Sequence, residues 1–148
     1  MRIYLAHPTS DRIFVYKEVQ PVLEKAGFDV VNPFLQEPQR AKIFLDESLT
    51  TVEALAKEKE VPGLSDPCQI VHMEQEMIQT CDIVVAVVTK SSIGMAMEIL
   101  YSAEILHKPV YIIGYRNYDK HPWLRHYTTT TTNPEELIEL IKSRSTKP

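Results

Sequence analysis

The chain has 148 residues, and at roughly 100–200 residues per domain that length predicts one domain over residues 1–148. Hydrophobic residues make up 44% and charged residues 24%, an ordinary globular mix that excludes disordered and fibrous classes. Sixteen Lys and Arg against twenty Asp and Glu leave a net charge of −4, which gives no global attraction for a nucleic-acid polymer or a membrane surface.

Arg2 to Ala6 reads as a short strand, and the start of the chain lacks the charged, apolar and cleavage regions of a secretion leader. The strand stops at His7-Pro8-Thr9-Ser10-Asp11, where Ser10 or Asp11 is expected to cap a helix. That helix carries Phe14, Val15, Val19, Val22, Leu23 and Ala26 at helical spacing, with a kink or break at Pro21 and an end at Gly27. Phe28 to Asn32 is a second strand, closed by Pro33. Residues 37–60 read as helix with a break, with Ile43, Phe44, Leu45, Leu49, Val52, Leu55 and Ala56 as its apolar stripe. Val61 to Pro67 is a loop, and a helix follows from Cys68 to Thr80. Asp82 to Thr89 is a continuous valine-rich run, the mark of a parallel strand buried on both faces.

After the loop Lys90 to Ser92, a helix with Ala96, Ile99, Leu100, Ala103 and Leu106 as its stripe runs to about His107. Lys108-Pro109 leads into the strand Val110 to Gly114. Tyr115 to Tyr127 reads as aromatic and irregular, and Thr128 to Thr132 as extended chain. Asn133-Pro134-Glu135-Glu136 predicts an N-cap, a first-turn proline and first-turn acids of a final helix. Strands alternating with helices imply right-handed crossovers and one parallel sheet with helices on both faces. The expected architecture is a flavodoxin-like α/β fold of strand order 2-1-3-4, with room for a fifth short strand. Ligands in such sheets bind beyond the carboxyl ends of the strands at the switch point, here between the first and third strands. That nominates His7 to Asp11 and Lys90 to Glu98, and disfavours Asp82.

Cys68 and Cys81 form no CxxC pair and read as reduced packing thiols. Cys68 and His72 share a helix face, but two ligands do not close a metal site, and the five histidines contain no His-x-x-x-His pair. Neither a metal nor a cofactor is expected. The longest purely apolar run, Ile83 to Val88, is far short of the roughly 20 residues a spanning helix needs, so the expected location is cytoplasmic.

The familiar nucleotide-binding glycine loops and the GxSxG elbow are missing. What remains is Ser92-Ile93-Gly94-Met95-Ala96-Met97-Glu98, a loop opening a helix beside the switch point. Free backbone N–H groups and the helix dipole make that turn an anion site, and the dipole is expected to keep Glu98 ionised. A carboxylate held ionised in a cleft can attack the anomeric carbon of a sugar. From position alone, Glu98 is also ordinary solvated helix surface, Ser92 an ordinary cap, and Tyr4 an ordinary core tyrosine.

The sequence resembles the nucleoside 2-deoxyribosyltransferase family. The resemblance rests on Tyr4-Leu5-Ala6-x-Pro8, on Cys81-Asp82-Ile83-Val84-Val85-Ala86, on Gly94-Met95-Ala96-Met97-Glu98 and on the lysine-proline lead into Val110. It implies retaining cleavage of the deoxyribose–base bond through a covalent sugar–glutamate intermediate, with Glu98 as the nucleophile. It further implies that Tyr4 lines the sugar site and that Glu74, where the family usually has Asp, is the acid toward the leaving base. The transferases proper carry an acid six positions before the nucleophile. Here that position is Ser92, which resembles the branch that hydrolyses deoxynucleoside 5′-monophosphates and uses this serine to hold the phosphate. His7 and Arg12 of the first loop are the remaining substrate-binding candidates, with Arg12 suited to a phosphate. The implied partners are a small-molecule nucleoside or nucleotide and further copies of the chain, as a homodimer or larger assembly. A monophosphate N-hydrolase proper, a non-catalytic nucleotide sensor and a protein-interaction module built on Tyr111, Tyr115, Tyr118, Trp123 and Tyr127 are the alternatives.

Overall fold

The valine-rich run is the centre of the fold. In the computed structural model, which describes residues 1–145, it forms β3 (Ile83–Val88) with every residue buried. β1 (Arg2–Ala6) and β4 (Val110–Gly114) pair with it in parallel on either side. β2 (Asp29–Val31) lies outside β1, and β5 (Thr129–Thr131), supplied by the threonine run, lies outside β4. The five strands stand in the order 2-1-3-4-5, a flavodoxin-like α/β sheet as expected from the alternation of strands and helices.

Alternate side chains of a strand face opposite sides, and here the two sides are both core. Ile3 and Leu5 join Val15, Val19, Leu23 and Leu137 under α2 (Gln20–Lys25) and α8 (Pro134–Ser145). Tyr4 and Ala6 join Ile78, Met95 and Ile99 under α5 (Pro67–Thr80) and α6 (Ile93–Leu100). Each of these aliphatic side chains contributes about 1.5–3 kcal/mol when fully buried. A smaller cluster of Phe34, Phe44 and Ala54 fastens α3 (Pro38–Phe44) to α4 (Thr51–Glu58).

Several local expectations are corrected. Ser10 and Asp11 cap no helix: the chain makes a 3-10 turn over Thr9–Asp11, then α1 (Arg12–Phe14), then a π turn over Val15–Val19 that opens into α2. Pro21 sits in the first turn of α2, where its missing N–H costs least, so the wide turn replaces a kink. Phe14, Val52, Leu55, Ala96 and Leu100 lie on the solvent side of their helices rather than in the stripes read from spacing. Cys68 is exposed, so only Cys81 is a packing thiol; both are free. Tyr115 to Tyr127 is less irregular than it reads, holding a 3-10 turn (Tyr118–Lys120) and α7 (Pro122–Tyr127), with Pro122 preset for the first turn. The Tyr118–Lys120 turn lies so close to β4 that a Cβ on Gly114 would stand 2.4 Å from the Asp119 amide nitrogen.

Other expectations hold. Ser92 caps α6 by accepting from the Met95 amide at 3.4 Å, and Asn133 caps α8 by accepting from that of Glu136 at 2.8 Å. α6 passes into a second π turn over Tyr101–Ile105. Beyond it, the Lys108 ammonium donates to the carbonyls of Gln79 and Cys81, tying the entry of β4 to the exit of α5. Asp82 accepts from the Arg2 amide at 2.7 Å, at the end of the sheet away from the switch point.

Candidate active site

The centre of the site rises from the floor of the sheet. Tyr4 is fully buried in the middle of β1, and its hydroxyl donates to Glu98 Oε2 at 2.5 Å. Glu98 stands on α6 beside the buried Ile99, past the first turn, where the helix dipole has faded and burial decides its charge. Burial first, and the charge of Glu74 second, push its carboxyl up to about 7; the Tyr4 hydrogen bond and Arg40 pull the other way but less. The expectation of a carboxylate kept ionised by the dipole is thereby corrected. Tyr4 is itself pushed far above its ordinary range, chiefly by burial, and stays a hydrogen-bond donor.

Glu74 stands on α5 and faces the same point. Its Oε1 accepts from Arg40 Nη2 at 3.1 Å. Burial raises its pKa, against the pull of Arg40, while Glu58 adds to the rise. The neighbourhood therefore holds Glu74 and Glu98, each made easier to protonate by burial and Glu98 more so by Glu74's charge. A pair of this kind divides its protons between two sites, which is how one carboxyl serves as acid and another as base.

Arg40 was not singled out by sequence. It lies on α3 with its side chain 3% exposed, and donates from Nε to Glu58 Oε2 at 2.7 Å and from Nη1 to the Pro33 carbonyl at 2.8 Å. Its guanidinium lies 4.7 Å from the centre of the Phe34 ring. The only local sign was an arginine four residues before Phe44 on an amphipathic helix, and nothing local pointed across to Glu74.

The remaining candidates separate. His7 is buried against Phe34, its Nδ1–H donating to the Pro8 carbonyl at 2.9 Å and its Nε2 closed off without a hydrogen-bond partner. Burial lowers its pKa and keeps the ring neutral. Arg12 turns inward, away from a phosphate: it is buried and donates from Nη2 to the Leu49 carbonyl at 2.7 Å. At the switch point itself the Asp11 carboxylate accepts from the Thr89 hydroxyl, joining the loops that follow β1 and β3. Ser92 lies on the wall of a cavity of about 370 Å³ between α6 and the segment Tyr118 to Leu124. Its walls are mostly apolar (Val88, Met95, Ile99 and Trp123), with Lys90 and His121 among the polar groups. Gly94 is exposed, and a Cβ there would meet nothing within 4 Å.

A flavodoxin-like sheet with two titrating carboxyls gathered beside its switch point is the layout of an α/β enzyme, and the comparison with known families agrees. The chain belongs to the nucleoside 2-deoxyribosyltransferase family, whose model matches residues 3–132. Its function is accordingly deoxyribosyltransferase-like, acting on small-molecule nucleosides. No curated protein matches the chain. Among the described residues, no helix is long and apolar enough to cross a membrane.

Proposed function

We propose that the protein cleaves the N-glycosidic bond of 2′-deoxynucleosides or their 5′-monophosphates through a covalent deoxyribosyl–Glu98 ester. A Glu98 oxygen attacks C1′ as the bond from C1′ to the base nitrogen breaks, and Glu74 delivers its proton to that nitrogen. Water or a second base then attacks C1′ from the other side, the ester bond breaks, and two inversions give net retention. The observation that carries this reading is the Tyr4–Glu98 hydrogen bond beside Glu74 in a chain of this family. Attack requires ionised Glu98, whose raised pKa means that kcat/KM falls as the pH drops through about 7; a pH–rate profile checks this. The assay is incubation with deoxynucleosides and deoxynucleotides, with and without a second free base. Free base is followed by chromatography and the sugar adduct by mass spectrometry of the Glu98 peptide. No base release from any of them overturns the reading.

A 5′-phosphate is favoured by Ser92, with Lys90 beside it on the cavity wall; Arg12, held by the Leu49 carbonyl, no longer supports it. An acid in place of Ser92 would repel a phosphate by about 1–4 kcal/mol at contact across dielectrics of 80 to 20. Ser92→Asp is therefore expected to weaken monophosphate use roughly fivefold or more and to spare the plain nucleoside. Equal kcat/KM ratios for the two substrates in both proteins would leave Ser92 as a helix cap alone. Assembly as a homodimer or larger is supported by the exposed apolar strip of Ile93, Met97 and Leu100 along α6.

A further inference from the structure

Arg40 and Glu58 make a buried ion pair next to the site, and nothing in the reaction as derived so far uses either. Such a pair is a weak source of stability, because desolvating two charges offsets most of their attraction. An apolar pair in the cluster of Phe34, Phe44 and Ala54 would serve packing as well. Of the three groups that Arg40 bonds, Glu58 and the Pro33 carbonyl lie within the α3–α4 unit, and only Glu74 belongs to the reaction. Glu58 stacks nothing and reaches no substrate; what it supplies is a full negative charge on the opposite side of the guanidinium.

We infer that Arg40 and Glu58 are positioning residues for Glu74: the guanidinium aims the Glu74 carboxyl at the site, and Glu58 cancels the guanidinium's charge so that Glu74 can still carry a proton. This rests on the proposed role of Glu74 as acid. An arginine bonded to a carboxyl normally strips its proton, which would leave no acid for the base nitrogen. Here the groups facing Glu74 are Arg40 from α3, Glu58 from α4, Tyr4 from β1 and Glu98 from α6. Three carboxyls share one guanidinium, so the cluster favours keeping a proton. The charge of Glu58 tilts it onto the Glu74 side, while Tyr4 donates to Glu98 and favours its ionised form.

The test is Glu58→Gln, which keeps the shape and an acceptor for Arg40 Nε but removes the charge, with Arg40→Lys as a second variant that keeps charge and loses the fork. The carboxyl carbon of Glu74 is followed by NMR through a pH titration of the intact protein, alongside kcat/KM for a natural base and for an activated leaving group. In Glu58→Gln the Glu74 titration is expected to move down by about one pH unit or more. The alkaline limb for the natural base should move with it, and the profile for the activated leaving group should stay where it was. Arg40→Lys is expected to lower kcat for the natural base about tenfold or more and to spare the activated one. An unmoved Glu74 titration overturns the inference, as does an equal loss on both leaving groups with only the melting temperature changed. The titration needs no turnover, so it separates failure of this inference from failure of the glycosidic reading.

Discussion

Glu98→Gln is expected to abolish turnover, by several orders of magnitude or more than about 4 kcal/mol, while leaving the protein folded and more stable above neutral pH. The amide keeps the shape of the side chain and still accepts from the Tyr4 hydroxyl, but it cannot form the ester. The stability effect has a definite sign. Glu98 has its pKa raised to about 7 in the folded protein against 4.5 ordinarily, so its contribution is fully present below about 4.5 and lost as pH rises through 7. At pH 8 the native enzyme therefore holds a carboxylate that the fold disfavours by about 1–3 kcal/mol, and the amide removes that burden. Thermal melts of both proteins at pH 5 and pH 8 check it: the variant should gain several degrees at pH 8 relative to the parent and little at pH 5. An active variant would sink the covalent mechanism; an inactive variant that melts far below the parent at both pH values would mean that Glu98 holds the fold.

Glu74→Gln should cost roughly 10²–10⁴-fold with natural bases, the usual range for a general acid, and far less with a leaving group that departs unassisted. The extra methylene over the family's usual aspartate does not leave Glu74 adrift, because Arg40 Nη2 holds its carboxyl at 3.1 Å. The variant should fold, since Arg40 keeps Glu58 and the Pro33 carbonyl as partners. Comparing kcat/KM on the two kinds of leaving group decides it. Equal losses would make Glu74 a positioning group and move the search for the acid elsewhere.

What could be read from the sequence followed from how far apart the interacting residues lie. Ile83 to Val88 announces itself as a buried parallel strand without help from any other segment, and the order of strands and helices then leaves few topologies. Glu98 and Ser92 lie within one short motif at a loop-to-helix junction, so spacing alone brings them to the switch point. Glu74 needed the family resemblance, because its meeting with Tyr4 and Glu98 joins α5, β1 and α6. Arg40 and Glu58 sit in the most polar stretch of the chain, where buried charges look the same as solvated ones until the fold closes over them. Arg12 fails in the opposite sense: a cation beside a likely ligand loop was read as free, and the loop between α3 and α4 had already taken it. The ionisation of Glu98 was misread because the dipole is visible in sequence and burial is not.

The π turn over Tyr101–Ile105 makes the stretch behind α6 intolerant of a change in length. A π turn holds one residue more than an α turn over the same rise, so it works as a spacer in the angular phase of the chain. Deleting one residue there would let α6 continue as ordinary α-helix and rotate everything after it by about 100°. Lys108 would swing off the Gln79 and Cys81 carbonyls that it now joins to β4, and Val110 would enter the sheet with its faces exchanged, since strand side chains repeat every second residue. Substitutions at Tyr101, Ala103 or Ile105 change a surface, whereas a one-residue deletion changes the register of the half of the fold that backs the cavity. Length in this segment is thus more tightly constrained than composition.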